Sequence, residues 1–269
     1  MNLAESRKVG EMLRGWRERR RLSQLDLAYD AAISQKHLSF LELGRSQPSR
    51  EMILRLSETL EIPLRERNIL LAAAGFAAVF PERPLSDESL LAARQAVDLI
   101  LSVIEPNPSF AVDRHWNLVT ANKGADIFTA EVDPALLKPP VNMLRLCLHP
   151  KGFTPRVINY SQWHKNVLEY LGRQVQATAD PVLMELYREL KSYPKPKLMR
   201  PDLHSKEIDY SGFAIPLKLW AADSELSFIS AVTVFGTPID VTVSELAIES
   251  FFPADKKTAE IIKQKEIHQ

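Results

Sequence analysis

The sequence predicts an α+β protein in two parts: an all-α N-terminal domain of five short helices, then a domain with one antiparallel sheet and flanking helices. Three observations predict it. Up to about residue 75, apolar residues recur three and four apart, the helical period. Beyond Pro106, short runs of β-formers at 110–121 and 226–235 bracket further helical stretches. Charge divides along the same line: residues 1–78 hold 13 Lys and Arg against 10 Asp and Glu, net +3, and the remainder nets −3.

The first helix carries Val9, Leu13 and Trp16 on one side, and Arg19-Arg20-Arg21 end it where cations suit the negative pole. Ser23-Gln24-Leu25-Asp26 reads as a capping box opening a second helix, with Leu27, Ala28 and Ala31 inward. Ser34 caps a third, with Ile33, Leu38 and Leu41 inward and Gln35, Lys36, Ser39 and Phe40 outward; Gly44 suits its left-handed end. Pro48-Ser49 lead into a fourth helix lined by Ile53, Leu56 and Leu60. Pro63 opens a fifth and Gly75 closes it.

Residues 79–105 read as a linker, VFPERPLSDES, and a connecting helix with Leu90, Leu91, Val97, Ile100, Leu101 and Ile104 along an approximate stripe. In FAVDRHWNLVTAN at 110–122, two β-forming runs flank an Asp113-Arg114-His115 turn, and Asn122 suits the N-cap of a helix holding Ala125 and Phe128. The stretch 142–174 is expected helical, as is 181–192. Strands are expected at Lys206–Leu217 and Leu226–Phe235. Residues 241–269 are expected to form a helical tail: Thr242–Glu245 as a capping box before LAIESFF, a break at Pro253, then a charged helix.

With 269 residues the chain suits about two domains, and 45% hydrophobic with 25% charged residues is globular composition. The lone Cys147 has no internal partner and is expected to be a small buried hydrophobe. No run approaches the ~18 apolar residues of a membrane span and no signal-peptide core is evident, so no membrane partner and a cytoplasmic location are expected. The six histidines show no metal-ligand spacing, and neither a Gly-rich phosphate loop nor a GxSxG elbow occurs. Neither a metal site, a cofactor nor enzymatic activity is expected; Asp113-Arg114-His115 has catalytic residue types but falls in a hairpin turn.

The run LSQLDLAYDAAISQKHLSFLELGRSQPS at 22–49 resembles the phage-repressor (lambda-repressor-like) helix-turn-helix of the xenobiotic-response-element family, and the likeness covers roughly residues 7–75. The residues agree with it independently: a short turn joins two helices, and the second shows polar donors that fit a DNA major groove. The resemblance implies that Gln24 anchors a phosphate, Gln35 and Lys36 read bases, Ser39 and Phe40 lie over the groove wall, and Arg45 and Ser46 grip phosphate. It also implies a structural pair between Arg17 and Glu42. The family commonly has Gly in the inter-helix turn where this chain has Ala32, a departure that costs roughly 1 kcal/mol in a left-handed conformation.

Strand, turn, strand, Asn, helix resembles the opening of a PAS domain. DRHWNLVTAN, NMLRLCLHPKGFTP and SQWHKNVLEYL together resemble the ligand-binding domain of MmyB-like transcription regulators, over roughly 105–240. The implied organisation is a DNA-binding domain at 1–78, a PAS-like ligand-binding domain at 106–240 and the tail at 241–269. The resemblance implies a small apolar ligand, fatty acids being its best-supported class, and a regulator of double-stranded DNA; one recognition helix sees few base pairs, so a homodimer is expected. Trp116, Phe128, Leu144, Leu148, Trp163 and Phe228 are the candidate chamber walls, with Arg145 and His149 the nearest cations for a carboxylate. The other readings of 105–240 are a ligand-free interaction or dimerisation module and a small-molecule enzyme fused to a DNA anchor.

Overall fold

The structure is a computed structural model that describes residues 3–194, 215–221, 223–236 and 240–267. Its elements run α1 (Leu3–Arg19), α2 (Gln24–Asp30), α3 (Gln35–Glu42), α4 (Arg50–Thr59), α5 (Leu64–Ala73), α6 (Leu91–Ile104), β1 (Ser109–Val112), β2 (Leu118–Ala121), α7 (Asp126–Thr129), α8 (Met143–Leu148), α9 (Tyr160–Thr178), α10 (Pro181–Ser192), β3 (Leu217–Ala221), β4 (Ser224–Val234), α11 (Val241–Ser244), β5 (Ala247–Pro253) and α12 (Lys256–Ile267). The fold class is α+β, as the sequence predicts. The chain forms two compact units: residues up to 84 with 176–178 and 240–244, and the rest.

In the first unit, α1–α5 enclose Val9, Leu13, Trp16, Leu27, Leu38, Leu41, Ile53, Leu56 and Leu60, each buried. Helix starts follow the expected chemistry. Ser23 Oγ accepts from the Asp26 amide while Asp26 accepts from the Ser23 amide, and the Ser34 and Ser49 hydroxyls cap α3 and α4 by accepting from the His37 and Met52 amides. A Cβ on Gly10 would stand 2.3 Å from the Leu41 carbonyl oxygen, so α1 and α3 cross closely only because that position is bare.

One buried carboxylate ties three helices. Arg17 donates to Glu42 from Nε (2.6 Å) and Nη2 (3.0 Å), and from Nη1 to the Leu22 carbonyl (2.9 Å); Gln24 Nε2 donates to the same Glu42 (2.8 Å). The hydrogen bonds to Glu42 raise the Arg17 pKa above its ordinary value. Residues 79–84 cluster with this unit, the Asn68 side chain bonding the backbone of Val79 and Phe80. So does α11, whose Val241 amide donates to the Pro81 carbonyl (2.8 Å).

The second unit is built on a five-stranded antiparallel sheet in the order β2-β1-β5-β4-β3. Asn122 closes the β1–β2 hairpin. Its Oδ1 accepts from the Ser109 amide (2.9 Å) and Ala125 amide (3.3 Å), and its Nδ2 donates to the Asn107 and Leu101 carbonyls. In the turn, Asp113 accepts from the His115 and Asn117 amides and Trp116 takes φ +68°, so the Asp-Arg-His triplet is turn chemistry. One face of the sheet packs on α6 through Val97, Leu101, Ala111, Leu246 and Ile248. The other faces the larger core of α7–α10.

The structure corrects two expectations and leaves most of a third outside the described residues. LAIESFF is a strand, not a helix: β5 pairs with β1 on one side and β4 on the other, so the middle of the sheet lies in the segment expected as a tail beyond 240. Ile248 and Phe251 point to opposite covered faces, toward α6 and the large core, while Phe252 is exposed. The stretch 142–174 is two helices: α8 ends before His149-Pro150, and Gly152 lets the chain fold back, since a Cβ there would lie 2.1 Å from the Leu146 carbonyl oxygen. Of the expected 206–217 strand, 206–214 lie outside the described residues, and β3 begins at Leu217.

Ala32 stands at φ +52° between α2 and α3, the left-handed position foreseen for it. Ala32→Gly should therefore stabilise the N-terminal unit by about 0.5–1 kcal/mol, read as a higher midpoint in thermal or urea denaturation.

Candidate DNA-reading surface and ligand cavity

The outer face of α3 presents Gln35, Lys36 and Phe40, all exposed, with Ser39 half-buried beside them. Lys36 Nζ stands 5.7 Å from the Phe40 ring centroid, one helical turn on, so cation and ring share a face. Arg45 is exposed and Ser46 half-buried just past Gly44, whose φ of +67° turns the chain. Six of the seven expected DNA-facing residues thus lie along α3 and its exit. Gln24 opens α2 and donates its side-chain amide to Glu42 (2.8 Å).

In the second unit a cavity of about 340 Å³ lies between the sheet and helices α8 and α9. Of the residues named from sequence as chamber walls, Trp116, Phe128, Leu144 and Trp163 line it. Sequence reasoning missed Phe110, Met143, Cys147, Phe153, Asn166, Val167, Tyr170, Ser230, Val232, Glu249 and Phe251. Aromatic contacts brace the wall: Phe251 lies 4.7 Å from Phe128 and 5.8 Å from Phe110 between centroids, and Trp116 meets Tyr170 edge-on at 5.7 Å. Trp116 Nε1 donates to Gln174 (2.8 Å) and Trp163 Nε1 to Cys147 Sγ (3.0 Å), so both indoles are held in place. Burial pushes the Cys147 thiol up to about 12, which keeps it neutral.

Four expected chamber residues fall outside the lining. Leu148 and Phe228 are fully buried core. Arg145 forms a two-pronged pair with Glu189 (2.9 and 2.7 Å), whose carboxylate also accepts from Tyr193. His149 accepts the Lys151 amide at Nδ1 (3.0 Å) and sets its ring edge-on to Tyr193. Neither side chain is part of the cavity lining. Among the described residues no cluster of His, Cys, Asp or Glu could hold a metal ion, and no helix is long and apolar enough to cross a membrane.

Residues 93–264 match the family described as MmyB-like transcription regulator ligand binding domain, well over half of the chain, and residues 10–73 match one described as helix-turn-helix domain. The chain belongs to the MmyB-like transcription regulators. It is a DNA-binding transcription regulator and not an enzyme. The ligand-binding match runs past 240 and takes in β5. No curated protein matches the chain. Among solved structures, the crystal structure of the clp gene regulator ClgR from Corynebacterium glutamicum is 24% identical, covering 39% of this chain and 97% of that one, with a TM-score of 0.24.

In this MmyB-like domain the cavity lining holds, among the described residues, one carboxyl, Glu249, and no Lys, Arg or His. Glu249 sits on the middle strand, flanked across the sheet by Phe110 of β1 and Val232 of β4. Burial raises its pKa to about 7, against a hydrogen bond from Ser230 that pulls the other way. Burial, then the Glu249 charge, also raise the Tyr170 phenol. Val232 is 39% exposed although it faces the cavity side of β4, so the cavity opens there.

A folded-state pKa above the unfolded value means that the native protein holds a proton the unfolded chain has lost. Between about pH 4.5 and 7 the Glu249 contribution therefore falls as pH rises, and above that window burying the carboxylate costs stability in full. Glu249→Gln should raise the melting temperature at pH ~8 by about 5 °C and leave it nearly unchanged at pH ~4.5. Calorimetric melts at the two pH values check this.

Proposed function

We propose that this protein is a sequence-specific regulator whose DNA affinity is set by a small apolar ligand in the second-domain cavity. The observation that carries the reading is the cavity itself: about 340 Å³, walled by aromatic and aliphatic side chains, open at one edge, in a chain that also carries a DNA-reading helix. A volume of that order suits a small molecule. The apolar walls are compatible with the acyl chain of a fatty acid, the class implied by the family resemblance. The regulator acts in the cytoplasm as a homodimer, two α3 helices reading half-sites about one DNA turn apart.

Control requires that the ligand prefer one arrangement of the protein over another; equal affinity for both shifts nothing. The chain offers a covalent route. Helix α11 clusters with the DNA-binding unit and runs within a few residues into β5, which carries Glu249 and Phe251 at the cavity. Native mass spectrometry of the purified protein tests the reading: a bound small-molecule mass, lost with a change in operator affinity, supports it, and an empty protein indifferent to added amphiphiles refutes it.

Two further outcomes are expected. On the preferred operator, Lys36→Ala costs about 1–3 kcal/mol and relaxes the choice of base, whereas Arg45→Ala weakens all sequences alike and lowers the salt dependence; fluorescence anisotropy across a salt series separates them. Val232→Trp fills the cavity mouth, so the variant should bind operator yet lose its co-purifying ligand and its ligand response.

A further inference from the structure

Two side chains of the Asp113-Arg114-His115 turn reach beyond their own hairpin. Arg114 Nη1 lies 3.6 Å from Asp180 Oδ2 and 3.7 Å from Glu245 Oε1, and His115 Nε2 stands 3.0 Å from the same Asp180 oxygen. Asp180 Oδ1 accepts from the Val182 amide (2.8 Å) and so starts α10, and Glu245 lies between α11 and β5. Burial works against the Asp180 charge, but the hydrogen bonds from His115 and the Val182 amide hold its pKa below the ordinary carboxylate value. The two acids mark the places where the chain returns to the second unit. Residues 176–178 and α11 group with the DNA-binding unit, and the chain is back in the second unit at Ala179-Asp180 and at Glu245. One guanidinium thus holds both points of return. Without it the two carboxylates would face each other across a short gap, and like charges push apart.

The same turn reaches the cavity. Trp116, next in the chain, lines it and donates from Nε1 to Gln174 of α9 (2.8 Å). The backbone of the turn is fixed to the start of α8: Asn142 Nδ2 donates to the His115 carbonyl (2.7 Å) and the Met143 amide to the Trp116 carbonyl (2.9 Å), and Met143 is a second cavity wall. A guest that displaces Trp116 or Met143 therefore moves the turn that carries Arg114, and packed interiors shift between discrete arrangements rather than deform smoothly. We propose that Arg114 is the positioning residue of the ligand response: its hold on Asp180 and Glu245 passes a change at the Trp116 wall to the two segments that group with the DNA-binding unit. The proposal rests on the ligand control proposed above and names its route.

Operator affinity of the full chain, measured by anisotropy with and without an equimolar mixture of saturated fatty acids from decanoate to palmitate, tests this. In the unaltered protein the two affinities should differ by about fivefold or more. Arg114→Met should bring that ratio to within about twofold of unity while native mass spectrometry still finds fatty acid bound. Glu245→Gln should lower the ratio too, and the double variant should lower it no further, the signature of two residues acting as one. Cooperative melts confirm that the variants fold. The route is overturned if Arg114→Met keeps the full ratio, if it loses the ratio only by failing to take up fatty acid, or if Glu245→Gln leaves the ratio untouched. A response kept by every variant leaves ligand control standing and overturns the route alone. An unaltered protein whose operator affinity ignores the mixture overturns ligand control, and the route falls with it. Should Arg114→Met not fold, Glu245→Gln decides by the same measure.

Discussion

The second domain depends on one strand. β5 is hydrogen-bonded to β1 on one edge and to β4 on the other, so it joins the β1–β2 hairpin to the β3–β4 pair. Its two faces serve different masters. Ile248 closes the small core beneath α6, and Phe251 closes the aromatic wall of the cavity. Glu249, between them in sequence, faces the cavity because side chains alternate along a strand. Packing, sheet continuity and the polarity of the binding space are therefore set by the same seven residues.

Much of the N-terminal unit was legible because its signals are local. Caps at Ser23, Ser34 and Ser49, left-handed residues at Ala32 and Gly44, and apolar spacing from Val9 to Leu60 each lie within a few positions of what they control. The cavity was legible only in part. Trp116, Phe128, Leu144 and Trp163 were foreseen because large apolar groups on facing elements tend to meet. Glu249 was not, because the helical reading of LAIESFF removed the whole strand from the domain. Alternation in AIESF, with Ile and Phe as β-formers, was the available signal. Arg145 misled for a different reason: its partner Glu189 lies 44 residues away, and no short-range pattern announces such a pair.

Cavity and N-terminal head show two ways of handling a carboxylate drawn out of water. Glu42 is fully partnered, held by Arg17 and Gln24, and this geometry serves structure. Glu249 has a serine hydroxyl and, among the described residues lining its cavity, no cation, and desolvation raises its pKa to about 7. A half-buried carboxyl left short of partners is a poor choice for stability alone and a good one for a space that expects a visitor.

The Glu42 carboxylate also limits how any signal can be delivered. Helices α1, α2 and α3 meet on it, and the bare Cα of Gly10 locks α1 against α3 at backbone distance. Bending the reading helix away from its neighbours would strand an uncompensated charge, a penalty of about 3–5 kcal/mol, larger than the ~1–3 kcal/mol typical of allosteric coupling. The N-terminal head is thus a stiff tool: under the proposed function, a signal would have to act on where the tool is held rather than on its edge.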